Sequence, residues 1–110
     1  MEKVSGERRA KIIKYLNDAG CKPTLKGYNL FISLISLSAD EPELGCYELF
    51  DAYAIELYGE KMDCKGKSSK SKKVWWSLYR DCQYTLKASH ATMTVYEFIR
   101  SCAVNLEETA

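Results

Sequence analysis

Six positively charged side chains fall between Lys65 and Arg80, in the stretch KGKSSKSKKVWWSLYR, with no acidic residue among them. They are Lys65, Lys67, Lys70, Lys72, Lys73 and Arg80. The whole chain has a formal net charge of only +1, so these six leave −5 on everything else. A near-neutral protein that gathers its positive charge in one place carries the footprint of a polyanion-binding surface. Trp75, Trp76 and Tyr79 interleave with the end of the charge run, and Gln83 follows it. Lysines neutralise phosphates, arginine and glutamine can hydrogen-bond base edges, and aromatic rings add apolar or stacking contact.

Other chemistries find little to work with. The single histidine, His90, has no acid or nucleophile at motif spacing to serve it as a general base would require. Gly66-Lys67-Ser68 is not a phosphate-binding loop: the earlier glycine of that motif would fall at position 61, which is Lys61. Cys21, Cys46, Cys64, Cys82 and Cys102 are spread evenly, with no CxxC or CxH pair to seed a zinc site. An odd number of scattered cysteines reads as free thiols in a reducing cytoplasm. The acidic residues form no ligand cluster. The expectation is therefore a protein that is not an enzyme, with no metal, no cofactor and no small-molecule substrate.

The residues of interest must be positioned by a small scaffold. At 110 residues, 46% apolar and 28% charged, the composition is that of one soluble globular domain large enough for a core. No apolar run approaches the ~20 residues that span a bilayer. The start, MEKVSGERRAKII, lacks the apolar stretch and small-residue cleavage site of a signal peptide. A cytoplasmic protein without a membrane partner is expected.

Apolar spacing predicts five helices and no strand. From Glu7, one face carries Ile12, Ile13, Leu16 and Ala19, while Arg8, Arg9, Lys11 and Lys14 form a solvated face. Gly20 stops this helix and Pro23 blocks its continuation. In NLFISLISLSAD, Leu30, Phe31, Leu34, Ile35 and Leu37 predict a central, largely buried helix, ended by Asp40-Glu41-Pro42-Glu43. Pro42 is placed to begin the next element. A third helix, acidic on its exposed side, runs over Glu43–Tyr58 and closes at Gly59. Residues 60–71 read as a mobile Lys/Ser-rich loop, with Ser69 or Ser71 as the N-cap of a fourth helix over Lys72–Ala88. Its apolar side carries Val74, Leu78 and Cys82, flanked by Trp75 and Thr85, and its opposite side carries Lys73, Trp76, Arg80, Gln83 and Lys87. Tyr79 sits at the margin. After Ser89-His90-Ala91, Thr92 or Thr94 can cap the last helix, Glu97 lies at capping-box spacing from Thr94, and Val95, Phe98, Ile99, Cys102, Ala103 and Leu106 mark its apolar face. Residues 1–6 and 107–110 are expected to fray.

Several short runs resemble the C-terminal DNA-binding effector domain of the sporulation initiation response regulators of endospore-forming Firmicutes. They are Leu16-Asn17-Asp18-Ala19-Gly20-Cys21 followed by Leu25-Lys26-Gly27-Tyr28, then Leu49-Phe50-Asp51-Ala52-Tyr53-Ala54. Val74 and Leu78 sit like the apolar positions of that family's recognition helix, and Glu97-Phe98-Ile99 after Thr94 like the start of its final helix. The resemblance implies an all-α, five-helix bundle containing a helix-turn-helix-like pair, here with an extended turn between Tyr58 and Lys72. It implies a transcriptional regulator that binds duplex promoter DNA and pairs as a homodimer on adjacent sites. Lys72, Lys73, Trp75, Trp76, Tyr79 and Arg80 would then lie in or beside the DNA groove. The family has polar and basic residues where this chain has Trp75, Trp76 and Tyr79. The length leaves no room for the family's receiver domain, so a stand-alone regulator, not controlled by its own aspartyl phosphorylation, is expected.

The combined expectation assigns DNA contacts to Lys65, Lys67, Lys70, Lys72, Lys73, Trp75, Trp76, Tyr79, Arg80 and Gln83. The alternative keeps the scaffold and uses Trp75, Trp76 and Tyr79 as an aromatic patch for a partner protein or for self-association.

Overall fold

A computed structural model describes residues 6–58, 69–89 and 92–108, with side chains for 6–54, 75–89 and 92–106. The described residues form five helices and no strand: α1 (Gly6–Asp18), α2 (Lys26–Asp40), α3 (Cys46–Tyr58), α4 (Ser69–Lys87) and α5 (Val95–Glu108). The all-α class and the number of elements agree with the apolar spacing. The expected N-terminal fraying over 1–5, the stop at Gly59, the loop over 60–68 with Lys65 and Lys67, Cys64, and His90 all lie outside the described residues.

Local chemistry explains the junctions. The α1 end is a Schellman motif: Cys21 N–H donates to the Leu16 carbonyl (2.9 Å) and Gly20 N–H to the Asn17 carbonyl (3.0 Å). Gly20 has φ 89°, a left-handed conformation that a Cβ would strain. The Tyr28 hydroxyl, from the first turn of α2, donates to Asn17 Oδ1 (3.0 Å) and fixes this corner. At the start of α5 the capping box forms in both directions, Glu97 N–H to Thr94 Oγ1 and Thr94 N–H to Glu97 Oε1, each 3.2 Å.

Three boundaries differ from expectation. Pro42 does not open α3. It occupies the second position of a turn closed by Leu44 N–H donating to the Glu41 carbonyl (3.2 Å), a place its fixed φ suits, and α3 begins at Cys46. α2 starts earlier than its apolar run, at Lys26. α4 starts at Ser69, so Ser69 and Ser71 both lie within the helix and neither is its N-cap, and Lys70, Lys72 and Lys73 belong to its first turns.

α2 is the central element and packs against the other four helices, most extensively against α4 and α5. Its Phe31, Leu34 and Ile35 are fully buried with Ile12 and Leu16 of α1, Leu49 and Phe50 of α3, Cys82 of α4 and Ile99 of α5. Phe31 and Phe98 meet edge to face at 5.1 Å. Two of the three serines that break the apolar run of α2, Ser36 and Ser38, are used by arginines from both sides. Arg100 of α5 donates to Ser38 Oγ (2.8 Å) and to the Ser38 carbonyl (3.1 Å). Arg8 of α1 donates to Ser36 Oγ (3.2 Å) and pairs with Asp40 (2.7 Å). The Arg8 side of α1 is therefore not simply solvated, as its charge pattern suggests. Both guanidiniums sit near the negative end of the α2 dipole.

Candidate nucleic-acid interface

α4 positions most of the residues singled out by charge and aromaticity. Its 19 residues make a rod about 28 Å long. Trp75, Cys82, Thr85 and Leu86 are buried, and Leu78 and Tyr79 are half-buried. Among the described side chains the buried stripe thus runs through Trp75, Cys82, Thr85 and Leu86, so Trp75 is part of it and not only a flank, while the Val74 side chain lies outside the described residues. Aromatic packing explains the burial of Trp75. Trp75 stacks on Tyr79 at 5.1 Å and 9°, meets Phe50 and Tyr47 of α3 at 5.5 and 5.0 Å, and takes Trp76 on its edge at 5.0 Å. These contacts fasten α4 to α3.

The consequence for the expected site is specific. Trp75 is only 4% exposed, so its ring belongs to the core and is not presented to a groove; that expectation is corrected. Its indole Nε1–H is buried with no hydrogen-bond acceptor among the described residues. Tyr79 is a half-buried bridge between Phe50 and the two tryptophans. Trp76 is 53% exposed, and Arg80 and Gln83 are exposed. Trp76, Arg80, Gln83 and Lys87 follow one another along the solvent side of α4, as their helical spacing requires. Lys70, Lys72 and Lys73 continue the same helix towards its N-terminus. Lys65 and Lys67 lie outside the described residues.

Two residues that the sequence reading did not assign to the interface join this surface. Tyr84 is 66% exposed and lies opposite Trp75 on the helix circumference. Continuing the Trp76–Arg80 spacing by four residues would have reached it. Lys26 had no such signal, since only packing brings the start of α2 beside α4. There Thr24, Leu25, Lys26, Arg80, Asp81 and Tyr84 line a recess of about 360 Å³. The approach depends on Gly27. A Cβ there would collide with the Thr85 hydroxyl and the Asp81 backbone carbonyl. The Thr85 hydroxyl donates to that carbonyl (2.8 Å), which satisfies a buried polar side chain. A second cleft, of about 330 Å³, lies where Tyr79, Gln83 and Leu86 of α4 face Met93 and the Thr94 cap.

The three buried thiols, Cys21, Cys82 and Cys102, are poor nucleophiles. Burial pushes the Cys82 thiol well above its ordinary value, Cys102 up to about 12, and Cys21 upward despite a hydrogen bond with Ser89. Among the described residues, no three His, Cys, Asp or Glu side chains come together to hold a metal ion. No described helix is long and apolar enough to cross a membrane.

No protein-family model, no curated protein and no solved structure matches this chain.

Proposed function

We propose that this protein is a DNA-binding transcriptional regulator of the sporulation-initiation effector kind. It binds duplex DNA through α4 and the lysine-rich stretch before it. The observation that carries the reading is the solvent side of α4. Trp76, Arg80, Gln83, Tyr84 and Lys87 form one exposed row, on the helix whose first turns hold Lys70, Lys72 and Lys73. A rod of this width fits the major groove. The lysines neutralise phosphates, Gln83 contacts base edges, Arg80 lies beside them at the margin of the groove, and Trp76 adds an apolar contact. α3 braces α4 through the aromatic cluster, so that α3 and α4 work as a helix-turn-helix-like pair. The site of action is the cytoplasm, and a homodimer occupies adjacent DNA sites.

Phosphate neutralisation makes binding salt-dependent. A fluorescence-anisotropy titration with duplex DNA at low and at physiological salt tests the proposal. The expected result is tight binding at low salt that weakens steeply as salt rises. Absence of binding at low salt, or binding indifferent to salt, would sink it. Replacing Lys70, Lys72 and Lys73 with Glu is expected to abolish binding.

A second reading has its own observation. Trp76 is a large exposed ring resting edge-on against a buried aromatic cluster, the kind of anchor enriched at protein interfaces. Trp76→Ala separates the two readings when mass and DNA affinity are both measured. Loss of assembly with DNA affinity intact favours the protein interface.

A further inference from the structure

The recess between α2 and α4 combines two cations, an exposed ring and one acid from the two helices with a hydroxyl from the turn before α2. Lys26 and Arg80 are exposed, and neither makes an ion pair or side-chain hydrogen bond among the described residues. Tyr84 stands beside them, two-thirds in water. The spacing of the two walls is fixed without any ligand, because Gly27 seats α2 directly on the Asp81 carbonyl and the Thr85 hydroxyl. Rigid walls, unpartnered cations and an unshielded ring are the features of a surface preorganised for an anion attached to an apolar body.

Resting on the DNA reading above, we propose that this recess is a clamp for one sugar-phosphate unit of the DNA backbone, beside the groove that α4 enters. Lys26 and Arg80 approach the phosphate from separate helices, the Thr24 hydroxyl donates to it, and the Tyr84 ring lies against the deoxyribose. Contacts of this kind fix the orientation of the reading helix while carrying no sequence information. Asp81 also lines the recess and leaves its side chains a net charge of +1, from Lys26 and Arg80 against Asp81. That balance suits a phosphodiester, which carries one negative charge. It disfavours a terminal phosphate, which carries about −1.5 to −2 at neutral pH.

The test uses the full chain in anisotropy titrations on duplex DNA over a salt series. Lys26→Ala is expected to reduce the slope of log affinity against log salt by about 0.9, the loss of one phosphate contact. Tyr84→Ala is expected to weaken binding several-fold at unchanged slope, since it removes an apolar contact and no charge. Asp81→Asn is expected to tighten binding. Lys14→Ala, an exposed lysine on α1 that does not line the recess, keeps the wild-type slope. Thermal unfolding of each variant confirms that these exposed and half-exposed positions leave the fold intact. Wild-type binding with an unchanged slope in Lys26→Ala, or with wild-type affinity in Tyr84→Ala, overturns the clamp and leaves the DNA reading standing. No wild-type binding at low salt overturns both. Inorganic phosphate at matched ionic strength is expected not to displace DNA. Displacement from the wild type but not from Lys26→Ala overturns the diester assignment in favour of free phosphate.

Discussion

Two neighbouring tryptophans have opposite fates, and the difference lies in 100° of helical rotation. Trp75 is enclosed by Tyr47, Phe50, Trp76 and Tyr79, whereas Trp76 keeps half its surface in water. Trp75→Ala should cost about 3–5 kcal/mol in stability, the range for emptying an aromatic core site. Trp76→Ala should cost far less and act mainly on binding. Denaturant unfolding of both variants checks the contrast; equal losses would mean that Trp76 is structural. Gly27 is constrained in the reverse sense, by lack of space. Gly27→Ala should destabilise by about 1–3 kcal/mol through overpacking. Thr85→Ala in the same chain should restore only part of it, because the Asp81 carbonyl is backbone and cannot rotate away. Full recovery in the double variant would show that the hydroxyl alone sets the limit.

At the level of elements, α2 organises the fold and α4 carries the candidate interface. α2 could be read from its apolar spacing, yet two of its serines, Ser36 and Ser38, could not be interpreted until Arg8 and Arg100 were seen to reach them. The ends of helices were legible wherever a residue's own chemistry decides the matter. Gly20 adopts the left-handed conformation, and Thr94 and Glu97 form their reciprocal cap. They were misread where a residue suits two roles: Pro42 fits the second position of a turn as well as it fits a helix start. For α5, Thr94→Ala should lower stability by about 1 kcal/mol, the usual cost of a lost N-cap. The same change should return the Glu97 carboxyl, held below its ordinary value by hydrogen bonds from Thr94, towards that value. NMR titration of Glu97 in both proteins reads this out. A group held low contributes stability above its unfolded pKa and loses it as pH falls, so the Thr94→Ala deficit should shrink in acid.

For the whole molecule, the Cα radius of gyration is 13.3 Å, close to the ~13 Å expected of a folded domain this long. Among the described residues three cysteines, Cys21, Cys82 and Cys102, are buried, and their titration belongs to the fold as a unit. Cys82 and Cys102 are held neutral well above the ordinary thiol value of 9.0, Cys102 to about 12. The unfolded chain ionises these thiols first and so binds fewer protons. Stability is therefore complete below about pH 9 and falls as pH climbs towards 12. Unfolding midpoints measured from pH 7 to 11 should show this decline, and replacing Cys82 and Cys102 with Ala should flatten it. In the native state at pH 8, both thiols should resist alkylation and become reactive only on unfolding.

The sequence by itself determined the helical class, the number of elements, the motif that ends α1, the cap of α5 and the gathering of charge before and along α4. Each follows from chemistry local to a few residues: periodic apolar spacing, a glycine's freedom, a hydroxyl three residues from a carboxylate. It also placed Trp76, Arg80 and Gln83 on one side of a helix, since 100° per residue needs no tertiary information. Only the tertiary structure decided how deeply Trp75 and Tyr79 are buried, because the extent of the buried stripe of α4 is set by what α3 and α2 present to it. Tyr47 and Phe50 drew Trp75 inward, and the bare backbone of Gly27 let Lys26 come up beside Arg80 and Tyr84. Shape complementarity between helices distant in sequence made those choices.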